Sequence, residues 1–155
     1  MNDVRLTAHF NLSEFTYSQR ALELGLDNQP HGEQLANLVM LAHRLEDVRA
    51  LLNAPILITS GFRSVELNNA VGGVASSDHT KGLAADFVSP GFGDVVDICR
   101  TLEDNLIVFD QLIFEQHCQG GTVKQWVHLG MGVRMRQQVL SWSPKSEFVA
   151  GVKVL

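Results

Sequence analysis

His79 and Asp86 are the residues of this chain whose types and spacing most directly suggest chemistry. An imidazole nitrogen and a carboxylate oxygen are both common zinc ligands. Asp86 also lies inside the apolar run 83–88, where a charge is costly unless it is paired or bound to a metal. A histidine and an aspartate at this spacing also occur by chance, so the pair alone leaves both a metal site and an ordinary polar contact open.

A longer pattern of fixed spacing surrounds this pair. It reads Ser77-x-His79-x-x-Gly82-x-Ala84-x-Asp86. This pattern resembles the signature of the zinc D,D-peptidases, the peptidase M15 family, which includes D-alanyl-D-alanine carboxypeptidases, D,D-dipeptidases, several phage endolysins and the hedgehog signalling domain. The resemblance implies a zinc-dependent peptidase that acts on peptidoglycan stem peptides.

Other phrases extend the resemblance over residues 7–142. The stretch His9–Phe15 is similar to the opening of phage-type members, and Ser60–Arg63 matches their Ser-Gly-aromatic-Arg phrase. By this resemblance Arg63 lines the active site and stabilises the anionic intermediate, and Ser77 donates a hydrogen bond to the substrate. From the residues alone, Arg63 could equally cap a surface turn and Ser77 could be a simple turn residue.

A catalytic zinc site needs a third protein ligand in addition to His79 and Asp86. His128, in Trp126-Val127-His128, matches the second metal motif of the family, an aromatic-rich strand that ends in a histidine. The resemblance therefore implies one Zn²⁺ held by His79, Asp86 and His128. The alternative for His128 is a half-buried strand histidine, and weaker candidates are His9, His31, His43 and His117.

The catalytic base is the point at which the sequence departs from the family. Relatives carry a carboxylate three residues before the last ligand, but this chain has Gln125, which cannot accept a proton at neutral pH. Either the chemistry is weakened or another carboxylate serves. Glu115 follows the apolar run 111–114, and a hairpin would bring it to His128, where desolvation would raise its pKa as a base requires. The alternative is a solvated glutamate at a strand end.

Periodicity and turn residues predict the elements that must position these groups. Ser13 is expected to cap a helix that runs through Leu22 and ends at Gly25, and Glu33–Asn53 shows the clearest helical pattern. The remaining predictions are helices at 65–70 and after Asp94, and strands at 56–59, 83–88, 109–114, 125–130 and 138–142. Together they indicate one α+β domain over residues 1–155, with a small, mainly antiparallel sheet and helices packed on one side.

The composition excludes several classes of protein. A chain of 155 residues with 45% hydrophobic and 19% charged residues has the size and character of one soluble globular domain. The net charge of −5 and the absence of a Lys/Arg cluster exclude a nucleic-acid-binding protein. No apolar run has the length of a signal peptide or a membrane span. Cys99 and Cys118 are expected to be reduced, partly buried thiols, with a single bridge between them left open.

The resemblance thus implies a carboxypeptidase or endopeptidase from a phage or prophage, and we expect it to be a monomer. We expect it to be made in the cytoplasm without a signal peptide. It would reach the bacterial wall through a lysis system or as part of a virion. One alternative is a non-catalytic zinc module of a virion that binds the wall or a protein partner, and Gln125 keeps this interpretation open. A second alternative is a metal-free structural protein.

Overall fold

The computed structural model describes residues 3–105 and 108–155 of the chain. The helices are α1 (Leu12–Thr16), α2 (Gln19–Leu24), α3 (Glu33–Leu52), α4 (Val65–Ala70) and α5 (Val95–Asp104). The strands are β1 (Leu57–Ser60), β2 (Ala84–Val88), β3 (Gln111–Gln119), β4 (Thr122–Gly130), β5 (Gln138–Ser143) and β6 (Glu147–Ala150). A short 3₁₀ helix, Asp78–Lys81, precedes β2.

The six strands form one sheet in the order β1-β2-β4-β3-β5-β6. All neighbouring strands are antiparallel except β3 and β5, which are parallel. This architecture confirms the predicted α+β class with a mainly antiparallel sheet. The central strands β2, β4 and β3 come from the segments that the sequence marked as carrying functional residues.

The two faces of the sheet differ because side chains alternate along each strand. One face packs against α3 and α5, and its buried residues include Leu112, Phe114, Val127 and Leu129. The other face of the same strands carries polar and aromatic residues and forms the floor of a cleft. The sheet therefore places an apolar core behind the functional face.

The N-terminal helix differs from the prediction. Helix α1 begins at Leu12, after Asn11, whose backbone N–H donates to the Glu14 carboxylate at 2.7 Å. Ser13 lies in the first turn, so it is not the cap. The helix ends at Thr16, and α2 starts after Ser18, whose hydroxyl accepts a hydrogen bond from the Ala21 N–H at 3.2 Å. A serine that caps a new helix competes with continuation of the preceding one, which explains the break.

Several other boundaries also differ from the sequence expectation. Strands β3 and β4 are nine residues each, longer than predicted, and a turn at Gly120 and Gly121 joins them. Strand β6 and the parallel pairing of β5 with β3 were not foreseen. Both cysteines are free thiols, but only Cys99 is buried whereas Cys118 is exposed. None of the described helices is both long and apolar enough to cross a membrane.

Candidate metal centre

Three elements converge on one point of the cleft floor. Asp86 on β2 and His128 on β4 are direct neighbours in the antiparallel register of the two strands. His79 comes from the 3₁₀ helix that precedes β2, and Gly82 adopts a left-handed conformation with φ of 73° where that helix turns into the strand. A Cβ at Gly82 would lie 2.5 Å from the Gln34 carbonyl oxygen of α3, so only glycine fits there.

These three residues offer one ligand atom each within 4.8 Å of one another. His79 Nε2 lies 3.3 Å from Asp86 Oδ1, and His128 Nδ1 lies 2.9 Å from the same oxygen. His79 is 3% exposed and Asp86 5% exposed. Two imidazole nitrogens and one carboxylate oxygen form a donor set that suits zinc and leaves further coordination positions open. The cluster that the sequence pattern predicts is therefore assembled in the structure, and it could bind a metal ion.

A backbone contact fixes the orientation of the first histidine. His79 Nδ1 lies 2.6 Å from the Gly61 carbonyl oxygen, to which it donates a hydrogen bond. A donor at Nδ1 leaves Nε2 as the ring nitrogen with a free lone pair, and this nitrogen faces Asp86. Metal-bound histidines commonly donate their other ring nitrogen to such a carbonyl. The ring is thus held in the tautomer that a metal ligand requires.

The ionisable groups of the cluster change one another's pKa values through burial, hydrogen bonds and charge. Burial works to raise the pKa of Asp86, but the neighbouring imidazoles of His79 and His128 hold this pKa well below its usual range. Burial lowers the pKa of His79. For His128 burial also opposes the charged form, but the hydrogen bond and charge of Asp86 outweigh it and raise the pKa. A buried carboxylate that is ionised in this way provides the negative charge that a divalent cation would need.

Arg63 lies directly beside this cluster. Its Nη2 is 3.4 Å from Asp86 Oδ2, its Nε donates to the Ser60 hydroxyl at 3.2 Å, and its backbone N–H donates to the His79 carbonyl at 3.1 Å. The side chain lines the cleft. The structure therefore places this guanidinium at the rim of the metal cluster rather than on a remote surface turn.

Glu115 also reaches the cluster from β3. Ile113 pairs with His128 in the sheet, and Glu115 lies two residues farther along on the same face. Its Oε1 is 4.0 Å from His128 Nδ1, and its Oε2 is 3.7 Å from His117 Nε2. Desolvation, followed by the negative charge of Asp86, raises the pKa of Glu115 to about 7. A carboxyl group with this pKa can both accept and release a proton near neutrality.

Gln125 does not lie beside the metal cluster, where relatives are expected to carry a catalytic carboxylate. It lies on β4 three residues before His128, and an odd separation in a continuous strand places two side chains on opposite faces. Trp126 and His128 line the cleft, whereas Gln125 does not and pairs with Gln116 in the register. The side chain of Gln125 therefore does not face the metal cluster.

Ser77 lies at the start of the 3₁₀ helix and lines the same cleft. Its hydroxyl accepts a hydrogen bond from the His79 backbone N–H at 3.3 Å, as a helix cap does. The cleft has a volume of about 870 Å³ and contains all the predicted site residues. The other histidines lie elsewhere except His117: His9 pairs with Glu46 at 2.8 Å, and His31 and His43 are exposed.

Comparison with known proteins agrees with this geometry. The family model described as Peptidase M15 matches residues 8–129, which include all three cluster residues. The chain belongs to the peptidase M15 family. Members of this family are zinc peptidases, so the chain is a metallopeptidase by family and its His-Asp-His cluster could bind the metal. No curated protein matches the chain.

Two buried asparagines that the sequence analysis overlooked support the site of this M15 peptidase. Asn28 donates to the Thr16 carbonyl at 2.9 Å and the Phe62 carbonyl at 3.0 Å, and accepts from the Ser64 N–H at 2.7 Å. It thereby fixes the backbone on both sides of Arg63. In the sequence, Asn28 stands at the end of a Gly-Leu-Asp-Asn phrase, which is typical of a turn and gives no sign of a buried role.

Asn68 performs a similar role on the other side of the arginine. Its Oδ1 lies 3.4 Å from Arg63 Nη1, and its amide donates to the Val74 carbonyl at 2.9 Å. Asn68 is buried on the short helix α4. In this M15 peptidase the cleft arginine is thus held by contacts from α4 as well as from β1 and β2.

Proposed function

We propose that this M15 peptidase is a zinc-dependent enzyme that hydrolyses peptidoglycan stem peptides, as a D,D-carboxypeptidase or an endopeptidase. One observation carries the proposal: the His-Asp-His cluster lies on the cleft floor with a carboxyl group, Glu115, and a guanidinium, Arg63, on either side of it. A metal, a proton carrier and a fixed cation around one point are the parts that peptide hydrolysis requires.

His79, Asp86 and His128 would hold the zinc ion. The donor set fits this metal because the ligand atoms lie within 4.8 Å of one another and Asp86 supplies a buried negative charge. When bound, zinc polarises the peptide carbonyl and lowers the pKa of water at the site. The remaining steps depend on residues of the chain itself.

Glu115 is assigned the role of general base and then general acid. Its carboxylate takes a proton from the attacking water and returns it to the departing amine nitrogen. In the metal-free chain, desolvation and the charge of Asp86 raise the pKa of Glu115 to about 7, which favours uptake of a proton by this carboxylate. Its Oε1 lies 4.0 Å from His128 Nδ1, and Glu115 is not among the residues whose ligand atoms lie within 4.8 Å of one another, which supports a role beside the metal over a role as a ligand.

Arg63 is assigned the role of stabilising the negative charge that develops on the carbonyl oxygen. Its contacts with Ser60, Asn68 and Asp86 hold the guanidinium in place before the substrate arrives. A preorganised cation avoids the cost of reorientation during the reaction. Ser77 is assigned to the substrate, to which its hydroxyl could donate because the His79 N–H uses it only as an acceptor.

The position of Gln125 favours an enzyme over a non-catalytic zinc module. That alternative depended on the absence of a carboxylate three residues before the last ligand. The structure has Gln125 on the face opposite the cluster, while Glu115 reaches the cluster from the neighbouring strand. The phage-type opening phrase supports a phage or prophage origin, which we further propose for this enzyme. A lysis system or a virion would deliver it to the wall, and we expect it to act as a monomer.

A zinc assay combined with a hydrolysis assay tests the proposed function. The purified chain should bind about one equivalent of zinc and release D-alanine from a stem pentapeptide that ends in D-Ala-D-Ala, or cleave a cross-linked dimer of such peptides. His79→Ala should lose both zinc and activity. Glu115→Gln should keep zinc and lose activity, and the exposed His43→Ala serves as the matched control that keeps both.

Two outcomes would contradict the proposal. If the folded chain binds no zinc, the protein is a metal-free structural protein and not a zinc enzyme. A chain that binds zinc but cleaves neither substrate would be a zinc-containing binding module. If Glu115→Gln keeps full activity while His79→Ala abolishes it, only the assignment of the base is wrong.

A further inference from the structure

Three aromatic side chains from neighbouring strands form one side of the cleft. They are Trp126 on β4, Trp142 on β5 and Phe148 on β6, and His117 of β3 lies between the two tryptophans. We refer to these four residues as the aromatic wall. The strands that carry the wall are consecutive in the sheet, so it extends over three strand spacings, about 14 Å.

The rings of the aromatic wall contact one another in sequence across the sheet. His117 stacks on Trp126 with ring centroids 4.5 Å apart, and it lies 4.7 Å from Trp142 on its other side. Trp142 in turn lies 6.4 Å from Phe148. Phe148, at the outer end, is 61% exposed although it is a large apolar residue on a strand. An exposed ring at the end of an ordered row is available for a ligand.

The aromatic wall is continuous with the catalytic groups. Glu115 pairs with Trp126 on one side and with Trp142 on the other in the sheet register. An extended peptide whose scissile bond lies over the metal cluster would therefore run along these rings on one side. The outer ring, Phe148, lies on β6, two strand spacings or about 10 Å from β3, so it would meet a group several residues away from the reacting bond.

The opposite end of the cleft has the contrasting chemistry. Asp78 pairs with Lys81 at 3.1 Å and Asp110 with Arg136 at 2.7 Å, and Arg134 also lines this end. The cleft thus has a charged end, a metal cluster and an aromatic end. A free peptide with its terminal carboxylate suits the charged end, but it has no flat group that matches the aromatic end.

We propose that the aromatic wall is a subsite for a neutral pyranose ring, so that the preferred substrate is a stem peptide still attached to its sugar. The proposal rests on the proposed function, because it names the form of peptidoglycan that the same site takes. A pyranose ring has a face of polarised C–H groups, which the negative face of an aromatic ring attracts, and a rim of hydroxyl groups that stay in water.

Neighbouring charges and the chain's own architecture favour this ligand over a cationic side chain. Lys124 pairs with His117 in the register and Glu115 pairs with both tryptophans, so groups of both charge signs lie beside the wall and favour a neutral ligand over a charged one. Trp142 and Phe148 belong to the β5–β6 hairpin, which lies beyond residues 8–129 that match the family. The matched range therefore includes His117 and Trp126 of the wall but not its outer half.

Binding of a sugar without a peptide tests the proposal separately from catalysis. A β-1,4-linked trimer of N-acetylglucosamine should bind the zinc-loaded chain and change its tryptophan fluorescence. Phe148→Leu should weaken this binding about two- to tenfold, because an aliphatic side chain has no flat face, and Phe148→Tyr should retain it. Val123→Ala removes a similarly exposed apolar side chain from outside the cleft and should have no effect.

Kinetics with two substrates provide the second test. Phe148→Leu should raise KM for the sugar-linked stem peptide and leave KM for the free stem peptide unchanged. No binding of the trimer at millimolar concentration, or an equal effect of Phe148→Leu on both substrates, would overturn the sugar subsite. A third result separates the two proposals: the trimer binds, Phe148→Leu weakens this binding, and no peptide is cleaved. The proposed function then fails while the sugar subsite stands.

Discussion

The Gly61 carbonyl oxygen, which accepts the hydrogen bond from His79 Nδ1 at 2.6 Å, belongs to a backbone segment packed against α1. The next residue, Phe62, donates its N–H to the Phe15 carbonyl oxygen at 2.7 Å. Helix α1 therefore supports His79 of the metal cluster through the residues that follow β1.

Gly61→Ala is expected to disturb this support. A Cβ at position 61 would lie 2.5 Å from the Phe15 carbonyl oxygen and 2.6 Å from its Cα, so the backbone of α1 must move. Overpacking of this kind costs about 1–3 kcal/mol. We predict a lower free energy of unfolding in urea together with weaker zinc binding in a competition assay with a chelator.

Gly91→Ala is the matched control for this substitution. Its new Cβ would lie 3.7 Å from the nearest atom, which is ordinary van der Waals contact. It should change stability by a few tenths of a kcal/mol and leave zinc affinity unchanged. Equal zinc affinity in Gly61→Ala and the parent chain would show that the histidine does not depend on this carbonyl.

Two substitutions test whether the base lies at position 115 or at position 125. Glu115→Gln should lower kcat by about a hundredfold or more, because a general base contributes that much. Gln125→Glu should not raise kcat, since its side chain is on the other face of β4. The measurement is kcat for stem-peptide hydrolysis with zinc content determined in parallel.

The double variant Glu115→Gln/Gln125→Glu gives the sharpest comparison. Because it lacks the Glu115 carboxylate and its new glutamate lies on the other face of β4, it should remain as inactive as Glu115→Gln. Recovery of activity in the double variant would mean that β4 can present residue 125 to the cluster, contrary to the register of the sheet.

Arg63→Lys should separate charge from geometry. Lysine keeps the positive charge but cannot reproduce the contacts of the guanidinium with Ser60, Asn68 and Asp86. We predict a fall in kcat on the order of a hundredfold with zinc content unchanged. Arg44→Lys alters a half-buried arginine of α3 that lies outside the cleft and pairs with Asp47 at 3.0 Å, and it should leave kcat as it is. Loss of zinc in Arg63→Lys would assign the arginine to the metal site's stability instead.

Local patterns in the sequence predict much of the fold and cluster. The strands that carry Asp86 and His128, and the helix α3, follow from apolar periodicity because their buried faces are continuous. The convergence of His79, Asp86 and His128 was predicted by the family signature rather than by periodicity. The structure brings these three side chains together through the register of β2 and β4.

The features that sequence reasoning missed depend on contacts between distant segments. Asn28 contacts Thr16, Phe62 and Ser64 through a buried amide, and nothing in its local sequence distinguishes it from a turn asparagine. The parallel pairing of β5 with β3 requires a crossover past the end of the hairpin, and strand patterns do not encode strand order. The aromatic wall was missed for the same reason.

Asn28→Ala measures what that missed residue contributes. The substitution removes three hydrogen bonds and leaves the Ser64 N–H and the Phe62 carbonyl without this partner. Because buried polar groups are costly to leave unpaired, we predict a loss of roughly 2–4 kcal/mol in the free energy of unfolding. Asn37→Ala, which removes one exposed contact with the Lys81 carbonyl, should cost less than about 1 kcal/mol. Equal losses would indicate that Asn28 is not a structural anchor.

Glu115 gives the metal-free chain a pH dependence of stability with a definite sign. Desolvation raises its pKa from an ordinary value of 4.5 to about 7 in the folded chain. Unfolding therefore releases a proton between these two values, and the folded state loses stability as pH rises through that range. A shift of this size corresponds to at most about 3 kcal/mol, reached above pH 7.

Glu115→Gln should therefore raise the free energy of unfolding of the EDTA-treated chain at pH 8, by about 1–3 kcal/mol, and change it little at pH 4.5. Urea unfolding at the two pH values measures both quantities. Glu147→Gln, at an exposed glutamate of β6, is the matched control and should have no effect at either pH. A Glu115→Gln chain that is no more stable than the parent at pH 8 would mean that the cleft solvates this carboxylate.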